Sequence, residues 1–186
     1  MMNQKTFGLG LFIFLIIPPV ANLMESVMII HMHMQMPILV ITGFLMAPFF
    51  QSKFSRFFEK WNHNGIPGIL LFIIIVGYWM LPRTMDEALE LWMVELFKFI
   101  SLPFLAGVPL RDSWKKLEQA GKNTVIIIFS IAFIVMGWLY INATMQLCNN
   151  YLLIEQITLG WGFLTMGIAF VIFLGYRFFF NPSAYE

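Results

Sequence analysis

Six long apolar stretches dominate the sequence and limit the folds that are open to it. They run over residues 7–24, 26–50, 66–81, 91–110, 124–146 and 157–176. A helix that crosses a bilayer needs about 20 mostly apolar residues, and most of the stretches approach that length. We therefore predict an all-α, polytopic transmembrane helix bundle of about six spans, forming a single integral membrane domain over residues 1–186.

The composition agrees with insertion into a lipid bilayer. Only 11% of the residues are charged, 60% are hydrophobic and the mean hydropathy is +0.80. A water-soluble domain of 186 residues would lack the polar side chains needed to cover its surface. The formal net charge of +1 gives no basic excess, so we expect no nucleic-acid partner.

The distribution of Lys and Arg predicts the orientation of the spans. With the N-terminus in the cytoplasm, the outer loops hold only Arg83, and Lys98 lies inside the fourth stretch. Every other basic residue then falls on the cytoplasmic side: Lys5, Lys53, Arg56, Lys60, Arg111, Lys115, Lys116, Lys122 and Arg177. We predict that both termini are cytoplasmic. The segment Gln51–Gly65 is predicted to be an amphipathic cytoplasmic connection, with aromatic and basic residues at helical spacing.

The first and fourth stretches contain features that interrupt regular helix. Pro18-Pro19 predicts a kink in the first stretch, which we interpret as an uncleaved span. The fourth stretch contains Glu95 and Lys98, three residues apart, which can pair on one helix. A proton path and a contact with lipid head groups are the alternatives for this pair. Because two ionisable groups lie inside this stretch, a broken or partly interfacial helix is an alternative there.

A run of Met and His residues near the start of the second stretch is the most informative part of the sequence. It reads MESVMIIHMHMQMP over residues 24–37. Helical spacing places four residues on one face, whereas His33 points roughly opposite His31. The four are Met24, Met28, His31 and Gln35. Pro37 removes a backbone hydrogen bond to the carbonyl group of His33, so the helix can be distorted at this point.

Imidazole and thioether groups near the outer membrane surface suit Cu(I) better than most other ions. In the predicted orientation, His31 is the anchor ligand, Met thioethers complete the coordination and Glu25 captures the ion. The candidate metal ligands are His31, Met28, Met24, Met32, His33 and Glu25. The alternative is that the methionines fill gaps between helices and that the histidine forms an interhelical hydrogen bond.

Other kinds of chemistry leave no recognisable pattern. The single cysteine excludes an intrachain disulfide and any CxxC motif. No glycine-rich phosphate loop, HExxH motif or GxSxG motif occurs in the sequence. Both histidines in the spans lie on one helix, which disfavours a haem held by two histidines of this chain. We therefore predict no catalytic residues and no enzymatic activity.

Two segments resemble motifs of the CtaG-type membrane proteins, which are linked to assembly of caa3-type cytochrome c oxidase and its copper. The segment HMHMQMP at 31–37, with the residues up to Pro48, is similar to the family's HMxQHxxLMxxAPP motif. The segment EQITLGWG at 155–162 is similar to its DQxLGG signature. His31 matches the first motif histidine, the second falls on Gln35 or is lost, and Glu155 stands where the family has Asp.

The resemblance implies a short member of this family in the bacterial plasma membrane. It would bind or deliver Cu(I) at the outer face for assembly of a heme-copper oxidase or a related copper enzyme. A non-catalytic accessory subunit of a larger respiratory or oxygenase complex is the alternative, with another membrane protein complex as its partner. A small transporter that depends on Glu95 and Lys98 is a third hypothesis.

Overall fold

The computed structural model describes residues 4–180 and contains helices and no strand within that range. The predicted all-α class is confirmed. We number the helices in chain order, and treat a helix that changes its winding without a break as one element. They are α1 (Gln4–Ile16), α2 (Pro18–Glu25), α3 (Met28–Lys53), α4 (Ser55–Trp61), α5 (Ile66–Trp79), α6 (Pro82–Glu90), α7 (Trp92–Lys116), α8 (Gln119–Asn142) and α9 (Leu153–Phe180).

Four helices, α3, α7, α8 and α9, are long and apolar enough to cross a membrane. The pairs α1–α2 and α4–α5 also qualify if each pair is counted as one span, although their helices are bent by 72° and 89°. The described residues therefore contain four to six candidate membrane spans. The large bend before Pro18 confirms the predicted kink, because a proline at the start of α2 cannot continue the hydrogen bonding of α1.

The second span starts later than expected. We predicted its start at Ser26, but the chain is extended at Val27 and α3 begins only at Met28. The alternative of a broken helix in the fourth stretch is wrong, because α7 runs continuously for 25 residues. The partly interfacial alternative stays a prediction. The prolines of α7 are accommodated by a local change of helical winding.

Helices α3 and α7 each contain a π-helical segment that ends two residues before a proline. In α3 the segment covers His31–Gln35, and the N–H of Met36 donates to the carbonyl group of His31. In α7 it covers Ser101–Gly107, which includes Pro103, and the N–H of Val108 donates to the carbonyl group of Pro103. Pro37 and Pro109 lie two residues beyond these segments. The extra residue per turn compensates for a proline that has no N–H and would clash with the carbonyl group four residues earlier. The predicted distortion at Pro37 is confirmed.

Helices α3 and α7 approach each other until their backbones touch. A Cβ atom added at Gly43 would overlap the backbone of Pro103, and one added at Gly107 would overlap the carbonyl oxygen of Val40. Because no side chain fits between the helices, their relative position is fixed at this crossing. Small residues at such crossings are typical of helices that pack in membranes.

The close crossing yields a prediction for Gly43→Ala. The added methyl group has no space, so we expect the free energy of unfolding in detergent to fall by about 2 kcal/mol or more. Gly10→Ala is the matched control, because a Cβ at Gly10 meets nothing within 4 Å. The control is expected to be neutral or slightly stabilising, since alanine has the higher helix propensity. Equal effects of the two substitutions in a denaturation series would contradict the packing argument.

By backbone contacts the chain divides into two compact units. The first contains the described residues up to 116 together with 148–150, and the second contains 117–147 with the described residues from 151 onward. In the first unit, the side chain of Asn62 is fully buried and donates to Asp112 and Ser113, while its oxygen accepts from the N–H of Gly68. In the second unit, a Cβ at Gly137 would meet the backbone of Gly160. That the chain forms one domain over residues 1–186 stays a prediction.

Candidate functional site

The most unusual feature of the first unit is a buried ion pair between two helices. The ammonium group of Lys98 lies 2.5 Å from Oε1 of Glu25, and the two side chains are 0% and 8% exposed. Lys98 belongs to α7, and Glu25 is the last residue of α2. Charged groups inside a membrane protein are costly to bury and are functional candidates by default.

A histidine contacts the same ammonium group. Nε2 of His31 lies 3.2 Å from Nζ of Lys98, and the imidazole is fully buried. A neutral imidazole accepts a hydrogen bond through a ring nitrogen that carries no proton, so His31 accepts from the protonated lysine in this arrangement. Lys98 is therefore solvated by one carboxylate and one imidazole that come from different helices.

Gln35 completes the polar cluster. Its Nε2 atom donates to Oε1 of Glu25 over 3.1 Å, so this carboxylate oxygen accepts from both Lys98 and Gln35. The Oε1 atom of Gln35 is buried and has no hydrogen-bond partner within the described part of the chain. An unpaired buried amide oxygen is uncommon and leaves one acceptor available inside the cluster.

Two interruptions of regular helix bring these groups together. The break at Ser26 and Val27 separates α2 from α3, so Glu25 does not lie one and a half turns above His31 on a straight helix. The π-helical segment then spans His31 to Gln35. As a result, the first and last residues of this segment are both fully buried and both belong to the cluster of Glu25 and Lys98.

One aromatic ring contacts Lys98, and a second aromatic side chain binds α7 nearby. Its ammonium group lies 4.7 Å from the ring centroid of Phe99, a distance suitable for a cation–π interaction. One turn away, the buried indole of Trp79 donates to the hydroxyl group of Ser101 over 2.9 Å. These contacts hold the polar cluster in surroundings that exclude water.

The predicted metal ligands differ in their burial. Met28 is fully buried and Met32 nearly so, whereas Met24 and His33 are half-buried. Glu25 and His31 lie in the cluster, where both contact Lys98. Within residues 4–180, no group of three or more His, Cys, Asp or Glu side chains is arranged to hold a metal ion. A copper site here would therefore depend on methionine thioethers.

The sequence interpretation missed the central role of Lys98. We expected Lys98 to pair with Glu95, three residues earlier on the same helix, but it pairs with Glu25 from α2 instead. No ion pair of Glu95 is found in the described range. The local spacing favoured Glu95, whereas the buried side chain of Lys98 finds its counter-ion across the bundle. A lone lysine in an apolar stretch is the signal that identifies such a residue.

Two of the predicted ligands belong to the chemical types that Cu(I) binds. The imidazole of His31 and the buried thioether of Met28 are soft, uncharged ligands of the kind that Cu(I) prefers. The protonated amine of Lys98 opposes this, because it occupies the accessible ring nitrogen and repels a second cation. The cluster therefore fits a monovalent metal ion only when Lys98 has lost its proton.

Comparison with known protein families, curated proteins and solved structures finds no match to this chain. The resemblance to CtaG-type proteins stays a prediction based on two short motifs. The function must therefore be argued from the cluster itself.

The buried ion pair yields a prediction for stability. Lys98→Met leaves the carboxylate of Glu25 buried without its counter-ion, so we expect the free energy of unfolding to fall by about 3–5 kcal/mol. Glu25→Gln is expected to destabilise as well, and the double variant should lose less than the sum of the two single losses. A double-mutant cycle in detergent measures this coupling.

Arg83→Met is the matched control for that cycle. Arg83 forms an ion pair with Glu87 at a distance of 2.8 Å, but its side chain is 89% exposed. Exposed pairs contribute little, so this variant should unfold almost as the wild type does. If the double variant loses as much unfolding free energy as Lys98→Met and Glu25→Gln lose together, the buried pair is not energetically coupled.

Proposed function

We propose that this chain is an integral membrane protein that exchanges a proton on Lys98 for a Cu(I) ion in the buried cluster. The observation that carries the proposal is the position of the Lys98 ammonium group, which lies between Glu25 and His31 in a site closed to water. The ammonium group of Lys98 therefore already places a single positive charge in this site. Cu(I) carries the same charge as the ammonium group that it would replace.

The exchange conserves charge inside the membrane. When one Cu⁺ enters, Lys98 releases one proton and its amine becomes neutral, so the net charge of the cluster stays the same. His31 would supply a nitrogen ligand, Met28 and Met32 would supply thioethers, and Glu25 would supply the negative charge. Met24 and His33 belong to the same run and would guide the ion toward the cluster. This coupling avoids the cost of adding a charge to an apolar interior.

The wider role follows from the resemblance and the charge pattern. We infer six spans with both termini in the cytoplasm of a bacterial plasma membrane, and the cluster toward the outer side. The copper would be passed to a heme-copper oxidase or a related copper membrane enzyme during its assembly. Uncharged imidazole and thioether ligands favour such transfer, because they release the ion without separating opposite charges.

Copper binding is tested on the purified protein under reducing conditions. We expect about one Cu(I) per chain in the wild type and a loss of binding in His31→Ala. His63→Ala is the matched control and should retain the ion, because His63 is exposed and lies in the connection between α4 and α5. Absence of copper from the wild type as well would overturn the proposal.

The exchange itself is tested through pH and through Lys98→Arg. Because one proton leaves for each ion bound, the apparent affinity for Cu(I) should rise about tenfold per pH unit while Lys98 is protonated and His31 is neutral. Arginine keeps the ion pair with Glu25 but does not lose its proton, so this variant should bind Cu(I) at least about tenfold more weakly. Wild-type affinity in the arginine variant would rule out an exchange at Lys98.

An accessory subunit is the second candidate function. It is favoured by the exposed apolar surface of the second unit. Only 28% of the apolar 18-residue segment of α8, and 22% of that of α9, is buried within the chain. A partner complex in the membrane would cover part of this apolar surface. A stoichiometric membrane partner that co-purifies without copper would favour this candidate over copper exchange.

A further inference from the structure

Two apolar grooves lie side by side on the first unit, near the end of α3. Their volumes are about 350 and 360 Å³. Each falls in the range of about 300–1,000 Å³ that is usual for small-molecule sites. Phe50 and Phe104 line both grooves, and their rings meet edge to face with centroids 5.7 Å apart. This pair of rings therefore separates one groove from the other.

The walls of both grooves are almost entirely apolar. Leu9, Phe12 and Met46 line the first groove, and α4 contributes Phe57 and Phe58 to the second. In a membrane protein, walls of this kind suit the hydrocarbon chain of a lipid. Two adjacent grooves with one partition between them suit a lipid that has two chains.

Two exposed lysines lie at the edge of the first groove. Lys5 lines the groove itself, next to Thr6. The ammonium group of Lys53 lies 5.8 Å from the ring centroid of Phe49, which also lines it. Both lysines are exposed, and neither forms an ion pair with a described residue. Their charge is therefore available to a ligand that carries a negative group beside its apolar chains.

The surrounding surface strengthens this positive potential. Helix α4, on which no residue is buried, carries Arg56 and Lys60 against the single acidic residue Glu59, so it adds one net positive charge. The acidic residue Asp112 near the end of α7 is already neutralised by Lys116 at 2.7 Å. Basic pockets between helices at a membrane surface are typical sites for anionic lipid head groups.

We propose that these grooves bind an anionic phospholipid with two acyl chains. One chain lies on each side of the Phe50–Phe104 pair, and Lys5 and Lys53 contact the phosphate of the head group. This site is separate from the cluster around Lys98 and does not depend on the proposed copper exchange.

The experiment measures lipid binding to the purified full chain by native mass spectrometry. Phosphatidylglycerol and phosphatidylcholine with the same acyl chains are titrated in parallel. We expect tighter binding of phosphatidylglycerol, and a fall of about fivefold for each lysine removed in Lys5→Gln and Lys53→Gln. Binding of phosphatidylcholine should change much less, because its head group has no net charge.

A second pair of variants tests the groove itself. Leu9→Trp fills the first groove from an exposed position, so it should weaken binding of both lipids. Leu23→Trp adds the same ring at a more exposed position of α2 that lines neither groove, and Lys115→Gln removes a lysine away from both. Both controls should bind lipid as the wild type does.

Three results would overturn the lipid site. The first is equal affinity of the wild type for the two lipids, which would remove the role of the lysines. The second is unchanged binding in Leu9→Trp, which would place the lipid elsewhere. The third is an equal loss of phosphatidylglycerol affinity in Lys115→Gln, Lys5→Gln and Lys53→Gln. General surface charge would then explain the effect.

Discussion

An ammonium group that neither water nor lipid can reach must be solvated by protein atoms from every side, and this requirement organises the first unit. Lys98 obtains that solvation from the carboxylate of Glu25, the imidazole of His31 and the ring of Phe99. Removing a charge from water costs several kcal/mol even after relaxation, so none of these partners can be absent without a large loss. These partners come from the last residue of α2, the first turn of α3 and α7 itself.

Departures from regular helix help to bring these partners within reach of Lys98. A straight helix from Met24 onward would separate Glu25 from His31 by about 9 Å along its axis. The chain breaks at Val27 between them, and both side chains reach the ammonium group of Lys98. The π-helical segment lies beyond, and its last residue, Gln35, donates to Glu25. In α7 a second π-helical segment begins three residues after Lys98, and the close contact of Gly43 with Pro103 locks the two helices there. Proline and glycine thus place the charged residues without being part of the cluster.

The helical class, the positions of the apolar stretches and the distortions near Pro18 and Pro37 could all be predicted from the sequence. Apolar stretches and the effect of proline on a helix depend on neighbouring residues, so the sequence alone is enough to predict them. The pairing of Lys98 could not be predicted in the same way. Its partner Glu25 is 73 residues away, and only the folded arrangement of the helices brings the two side chains together. Glu25 and His31 were predicted as metal ligands, and their contacts with Lys98 were not predicted.

The contact between α3 and α7 also determines how the cluster can respond to a change. Because backbone meets backbone at Gly43 and Gly107, the two helices have no room to slide or rotate against each other. The stem of Lys98, by contrast, has four methylene groups and several rotatable bonds. Any rearrangement in the cluster is therefore carried by rotamers of one long side chain inside a stationary frame. A change of rotamer at Lys98 would therefore leave the crossing of α3 and α7 as it is.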